Sequence, residues 1–321
     1  MFKYLLFLTA VLAGCNITSV DKLPRDSAAD SSADTGVDLS ADVQPDTDQV
    51  LVDAAQDTPA DVEQDTPEDV PEDGPVDQSP PSVWSPAPGT TWAWQLSGNV
   101  DTSLNVDMFD IDLYDVPQRQ IDELHDKGKI VVCYFSAGTR EDWRADADDF
   151  PAEAIGQKLA MWPGENWIDV RDARVREIMR GRMMLAQTRG CDGVEPDNVD
   201  GFANDNGLGL TRADQVDYLR FLSSTAHELG LSVGLKNSVD LIGDLVDDFD
   251  WGINESCLVY NECNRLAPFI ASGKAVFHTE YVDDRRDGQA KLDTVCAEPS
   301  RKDFSTLVKQ WDLEAWGLAC P

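Results

Sequence analysis

The chain has 321 residues, with 60 Asp and Glu against 26 Lys and Arg, and a formal charge of −34. A balance this acidic disfavours nucleic acid and anionic membrane surfaces, which would repel it, and suits a cationic partner. The charge is unevenly spread, and the sequence divides where its composition changes.

Met1-Phe2-Lys3 supplies a short positive end, Tyr4–Leu12 an apolar run, and Leu12-Ala-Gly-Cys15 a small-residue cleavage site ending in cysteine. The run is too short to span a bilayer as a mature helix. Leu-Ala-Gly-Cys resembles the bacterial lipobox, which implies a signal peptide over 1–15 and lipidation of Cys15. Asn16, where an aspartate would mark inner-membrane retention, resembles outer-membrane sorting. From Asn16 to Ser82 there are 18 Asp or Glu, two basic residues and no aromatic. Such a segment buries too little apolar surface to offset its conformational entropy, so residues 16–82 are expected to be a disordered tether, extended by like charges and prolines. The expected product is an exported protein, held to the cell envelope by its lipid alone.

Residues 83–321 retain a net charge of −19 and hold all nine tryptophans. Six cysteines lie here, and an even count in an exported domain points to disulfides among 15 possible pairings. Cys257 with Cys263 is the expected local bridge, and Cys296 with Cys320 the expected tie for the C-terminal tail. Metal binding is rejected: no Cys-x-x-Cys pair exists, and His125, His227 and His278 are scattered. No cofactor is expected.

Eight short apolar, β-branched or aromatic runs recur: Trp92–Leu96, Met108–Leu113, Lys129–Phe135, Asn166–Val170, Gly193–Asp197, Leu231–Lys236, Asp250–Glu255 and Ala275–Glu280. Amphipathic helical patterns fall between them at Pro117–Lys127, Val175–Thr188, Arg212–Glu228 and Asn264–Ser272. This alternation in ~240 residues has the rhythm of a (β/α)8 TIM barrel. A doubly wound open sheet is the alternative, but the Gly-rich first turn it would use for phosphate is missing.

Polar residues cluster where the strands should open into loops: Gln95, Tyr134 with Ser136, Asp169 with Arg171, Glu195 with Asp197 and Asn198, Lys236 with Asn237, Glu255, and Glu280. One of these alone would be a cap or turn residue. Seven strands ending alike predict a polar cleft, with Trp92, Trp94, Tyr134, Trp143, Trp162 and Trp251 as its aromatic walls. Paired carboxylates at such a mouth are what glycoside hydrolysis requires.

Six stretches in order carry a resemblance: Trp92-Ala-Trp-Gln-Leu96, Cys133-Tyr-Phe-Ser-Ala-Gly138, Trp162–Arg171, Cys191–Gly201, Gly234-Leu-Lys-Asn237 and Asn254-Glu-Ser-Cys257. Together they resemble glycoside hydrolase family 114, the endo-α-1,4-polygalactosaminidases, whose members are TIM barrels. The resemblance implies an endo-acting hydrolase of α-1,4-linked galactosamine polymer, and the protein is expected to be a monomer. It implies two catalytic carboxylates, which fall on Asp197 and Glu255. Relatives often read Asp-Pro-Asp-Asn where this chain has Glu195-Pro-Asp-Asn198, so Glu195 departs from the pattern. Trp94, Gln95, Tyr134, Glu195, Asn198, Lys236, Asn237 and Glu280 are the expected substrate-binding residues.

The pairing also makes geometric sense, because inward side chains of alternate barrel strands share a layer. Lys236, on the strand between, is expected to hold Asp197 ionised and leave Glu255 as proton donor. Rival readings are a sugar-binding lipoprotein that has lost catalysis, which should lack one of the carboxylates, and a surface adhesin, which would not explain the polar strand ends. Asp197-Asn-Val-Asp-Gly201 and Asn204-Asp-Asn-Gly207 do not have EF-hand spacing, and turn chemistry accounts for both.

Overall fold

A computed structural model of the protein describes residues 83–321. The leader, Cys15 and the acidic segment 16–82 lie outside the described residues. Eight strands run parallel: β1 (Trp92–Gln95), β2 (Met108–Asp112), β3 (Ile130–Ser136), β7 (Gly193–Asp197), β8 (Ser232–Lys236), β9 (Trp251–Glu255), β10 (Val276–Tyr281) and β11 (Ser305–Lys309). They lie side by side in chain order, and a short β12 (Leu318–Ala319) pairs antiparallel with β11. The sheet curls until its first and eighth parallel strands meet. Trp92 Nε1 donates to the Ser305 carbonyl at 2.9 Å, and Ser305 Oγ to the Thr90 carbonyl at 2.6 Å. The result is a mixed α/β, TIM-barrel-like fold.

Two apolar cores follow from the period-two alternation of these strands. Trp92, Trp94, Met108, Val132, Trp251, Ile253, Phe277 and Leu307 point inward and fill the lower interior. The alternate positions, including Phe109, Ile111, Val131, Val194, Val233 and Val276, face the helices. Gly234 is fixed by the inner packing, since a Cβ there would sit 2.2 Å from the Trp251 ring.

The strand expected over Asn166–Val170 is not part of this sheet. It is β6 (Glu165–Ile168), the middle strand of a separate antiparallel sheet with β4 (Thr139–Glu141) and β5 (Ile155–Lys158). This small sheet is inserted between β3 and β7, and the eighth parallel strand is Ser305–Lys309. A short apolar run does not say which way its neighbours point, which is why the count was right and the membership wrong.

Buried ion pairs clamp the insert to the sheet. Arg144 binds Asp112 of β2 at 2.6 Å and Glu141 at 3.1 Å, while Arg182 binds Asp146 at 2.8 Å and the Ser136 carbonyl at 2.6 Å.

Six α-helices cover the outside among the described residues. α1 (Gln118–Asp126), α2 (Ala173–Thr188) and α3 (Arg212–Glu228) match the expected periodic segments. α3 opens with a capping box between Thr211 and Asp214 and buries Tyr218, Leu219, Leu222 and Ala226. The segment expected as Asn264–Ser272 starts as a 3₁₀ turn and becomes α5 (Ala267–Ala271), after α4 (Ile242–Leu245). α6 (Gly288–Cys296) precedes β11. Both expected disulfides, Cys257–Cys263 and Cys296–Cys320, are present. The remaining pair, Cys133–Cys191, joins β3 to the residues entering β7 across a sequence separation of 58.

Candidate active site

Three consecutive strands, β7, β8 and β9, end in Asp197, Lys236 and Glu255. Directly after each, the chain enters the left-handed region at non-glycine residues: Asn198 (φ 59°), Asn237 (50°) with Ser238 (34°), and Ser256 (59°). Such backbone costs energy and gathers where function requires it. Here it turns each strand sharply away, leaving its last inward side chain at the mouth.

Lys236 Nζ stands at the centre. It is 2.6 Å from Glu195, 3.2 Å from Glu255 and 3.4 Å from Asp197, and its side chain is only 2% exposed. The ammonium also sits 4.5 Å above the Trp94 ring, a cation–π contact that supports it from below. Burial alone would drive this amine toward neutrality. The three carboxylates outweigh burial and hold it charged, well above the usual lysine value.

The carboxylates around it differ. Glu195 is fully buried, takes the Trp94 indole N–H at 3.0 Å on its other oxygen, and is pushed up to about 7, chiefly by burial. Asp197 accepts from the Tyr134 hydroxyl at 3.1 Å and from the Asn198 backbone N–H at 2.7 Å. Glu255 accepts from Tyr281 OH on one oxygen and from Asn237 Nδ2 at 3.1 Å on the other. Burial would raise Glu255, but Lys236, Tyr281 and Asn237 together hold it below the usual carboxylate range. Glu255 therefore rests ionised, contrary to its expected role as a standing proton donor. Lys236 touches both members of the pair and does not single out Asp197.

Beneath this layer lies Asp110 on β2, with both oxygens buried and without a donor. Its carboxyl neighbours Glu195 and is pushed well above the usual carboxylate range, so it keeps a proton. Burial and the neighbouring Glu195 charge both keep that proton on Asp110.

Of the expected substrate-binding residues, Trp94, Tyr134, Glu195, Asn198, Lys236 and Asn237 are brought together around the pair. Two are not. Gln95 donates its amide to the Ser97 and Asn99 carbonyls at 3.1 and 2.6 Å and accepts from Asp101 N–H, so it staples its own loop. Glu280 points to the outside of β10, where Leu258 N–H and Lys291 hold it at 2.9 Å each. The alternation of β10 instead turns Tyr281 inward. Trp92, Trp94 and Trp251 are core residues at 3%, 1% and 0% exposure, whereas Trp143 and Trp162 are half exposed. Asp110, Tyr281 and Glu165 were missed. Asp110 had a legible signal, an acidic residue at an inward position of the apolar run Met108-Phe-Asp-Ile-Asp112.

Glu165 of the inserted sheet is also pushed up to about 7 by burial, despite the Thr139 hydroxyl bond that favours its charge. It and Glu195 therefore take up protons at higher pH when folded than when unfolded. Keeping them ionised costs the fold, and the cost falls as pH drops from about 8 through 7. It vanishes below the ordinary glutamate value, ~4.3, where both states are protonated. The melting temperature should thus rise between pH 8 and pH 5 in a fluorimetric melt, and a flat or falling curve would contradict these burials.

A family model described as glycoside-hydrolase family GH114 matches residues 74–321. The chain belongs to that family. As a GH114 member it is a glycoside hydrolase. Among solved structures, Ega3 of Aspergillus fumigatus in complex with galactosamine is 41% identical, with a TM-score of 0.71 over 74% of this chain and 97% of that one. The glycoside hydrolase domain of PelA from Pseudomonas aeruginosa is 15% identical, with a TM-score of 0.58 over 72% of this chain and 98% of that one, and shares the fold. No curated protein matches this GH114 chain.

Proposed function

We propose that this GH114 protein hydrolyses α-1,4-linked galactosamine polymer internally, using Asp197 and Glu255 as the catalytic pair. The observation that carries this reading is the shared ammonium of Lys236. It touches both carboxylates, at 3.4 and 3.2 Å, so their nearest oxygens can be no further apart than those two contacts laid end to end. That bound favours the ~5–5.5 Å separation of retaining enzymes over the ~6.5–9.5 Å that leaves room for an attacking water. One of the pair then attacks the anomeric carbon as a carboxylate while the other, having taken up a proton, gives it to the departing oxygen and takes one back from the water that releases the sugar with its α configuration kept.

The galactosamine found with Ega3 supports the sugar, and the charge of −19 on residues 83–321 supports a cationic one. Long-range attraction should make turnover salt-sensitive. Incubation with α-1,4-linked galactosamine polymer should yield a ladder of shorter oligomers, and the rate should fall as salt shortens the Debye length from ~10 to ~3 Å. Release of monosaccharide only would contradict internal cleavage, and equal rates on fully acetylated polymer with no salt effect would contradict a cationic substrate.

The proposal extends to location: a lipid on Cys15 and a monomeric catalytic domain from 83 onward, held at the cell envelope through the acidic segment 16–82. The Leu-Ala-Gly-Cys15 site and the aromatic-free acidic run support it. Cys15→Ala should move the protein from the membrane fraction to the soluble one. Unchanged membrane association would reject the lipid anchor.

A further inference from the structure

The loop after β11 places an exposed aromatic ring at the rim of the cleft. Along β11 the inward positions are Ser305, Leu307 and Lys309, and the same parity continued one step above the strand gives Trp311. Lys309 is in register with Tyr281, so Trp311 rises at the rim directly beyond Tyr281. The two rings stack at 3.9 Å between centroids with planes 11° apart, and Tyr281 OH donates to Glu255. One face of the indole is thus committed to the tyrosine that holds a catalytic carboxylate. The residue nevertheless remains 55% exposed.

A lone exposed tryptophan needs no explanation. The mounting of this one does. Leu313 is held in the left-handed region at φ 48°, a conformation costly for a branched side chain. Its carbonyl accepts from Leu96 and Ser97 N–H at 3.1 and 3.4 Å. Ser97 Oγ donates to the Asp312 carbonyl at 2.5 Å, and Lys309 Nζ to the Glu314 carbonyl at 2.6 Å. Arg285 bridges Gln310 and Glu314. Both ends of the curled sheet therefore grip a strained loop whose tip presents a flat aromatic ring to solvent. Were the ring only a prop for Tyr281, burying it would serve better and would remove apolar surface from water.

We propose that the Trp311 ring is the stacking platform of a subsite beside Glu255, taking one pyranose of the polymer next to the bond being cleaved. The C–H face of a galacto-configured sugar lies flat on the negative face of an indole, and a protonated 2-amino group adds a cation–π attraction. The exposed Asp312 beside it favours the same charge. This inference rests on the galactosamine reading above.

The test uses the full chain with Glu255→Gln, whose turnover should be slow enough for binding to be read, titrated with α-1,4 galactosamine oligomers by calorimetry. Adding Trp311→Ala should weaken binding about tenfold, and Trp311→Phe should restore part of the loss. In the active enzyme, Trp311→Ala should raise KM about tenfold while changing kcat less than about threefold. Tyr281→Phe, which loses the hydroxyl on Glu255 but keeps the stack, should lower kcat instead. If Trp311→Ala binds as tightly as its parent, or loses kcat in the manner of Tyr281→Phe, the ring is a prop and the platform is rejected while the galactosamine reading stands. If the Glu255→Gln parent binds no oligomer, the galactosamine reading falls and the platform with it.

Discussion

Lys236→Met should lower the melting temperature by about 10 °C at pH 8, the largest stability loss expected of any single change near the site. Methionine is close to lysine in volume, so the loss is electrostatic. Glu195, Asp197 and Glu255 would then face one another across a buried space with no cation among them. Removing one partner of a buried pair costs ~3–5 kcal/mol, because the remaining charge is left uncompensated. For a domain of this size each kcal/mol moves the midpoint by ~2–4 °C. Protonation is the escape open to the carboxylates, and Glu195 already sits at about 7. The penalty should therefore shrink on going to pH 5. A drop smaller than about 2 °C at pH 8, or one equally large at pH 5, would show that the ammonium is not what reconciles the three carboxylates.

Asp197→Asn and Glu255→Gln should each lower turnover by ~10²–10⁴-fold or more, because each keeps the shape of the site while removing the charge or proton that an oxocarbenium-like transition state needs. Affinity for oligomer should change little. Glu195→Gln is the informative comparison. The side chain is fully buried under Lys236 and Trp94, so it acts on the pair through the lysine and should cost less. Initial-rate kinetics on the polymer, with an NMR reading of the first-formed anomer, checks both the pair and the retaining course. Should Glu195→Gln abolish turnover and Asp197→Asn keep it, the catalytic position on β7 moves two residues upstream. Near-normal rates in all three variants would return the cleft to a binding role.

The most legible part of this site in sequence was the part that depends on one strand at a time. β7, β8 and β9 are short apolar runs ending in Asp197, Lys236 and Glu255, and period-two alternation puts each end residue inward without reference to the rest of the fold. Moving Asn166–Val170 out of the barrel left that alternation intact. β7 and β9 still flank β8, so the pairing across Lys236 survived the wrong membership of one strand. Features that depend on two distant segments were not legible. Glu280 and Tyr281 are adjacent in sequence, and only the phase of β10 against its neighbours decides which one enters the cleft. Gln95 reads as a strand-end amide, yet its carbonyl partners lie in a loop whose path has no periodic signal. Phe304-Ser-Thr-Leu-Val-Lys309 has the β-branched composition of a strand, but composition alone does not decide whether it or Asn166–Val170 belongs to the parallel sheet. The Arg144 and Arg182 clusters carry no spacing rule, since their carboxylates come from β2, β4 and the insert.

The Cys133–Cys191 bond encloses the whole inserted sheet between its two half-cystines. A single protease cut among the exposed residues around Met161 would leave two pieces still joined by sulfur. Such a nicked enzyme would migrate as one band in a denaturing gel and as two after reductant, with the sizes fixed by the cut. Tolerance of the nick would further show whether the peptide link through this excursion is needed at all, once the bridge and the buried arginine clamps are in place.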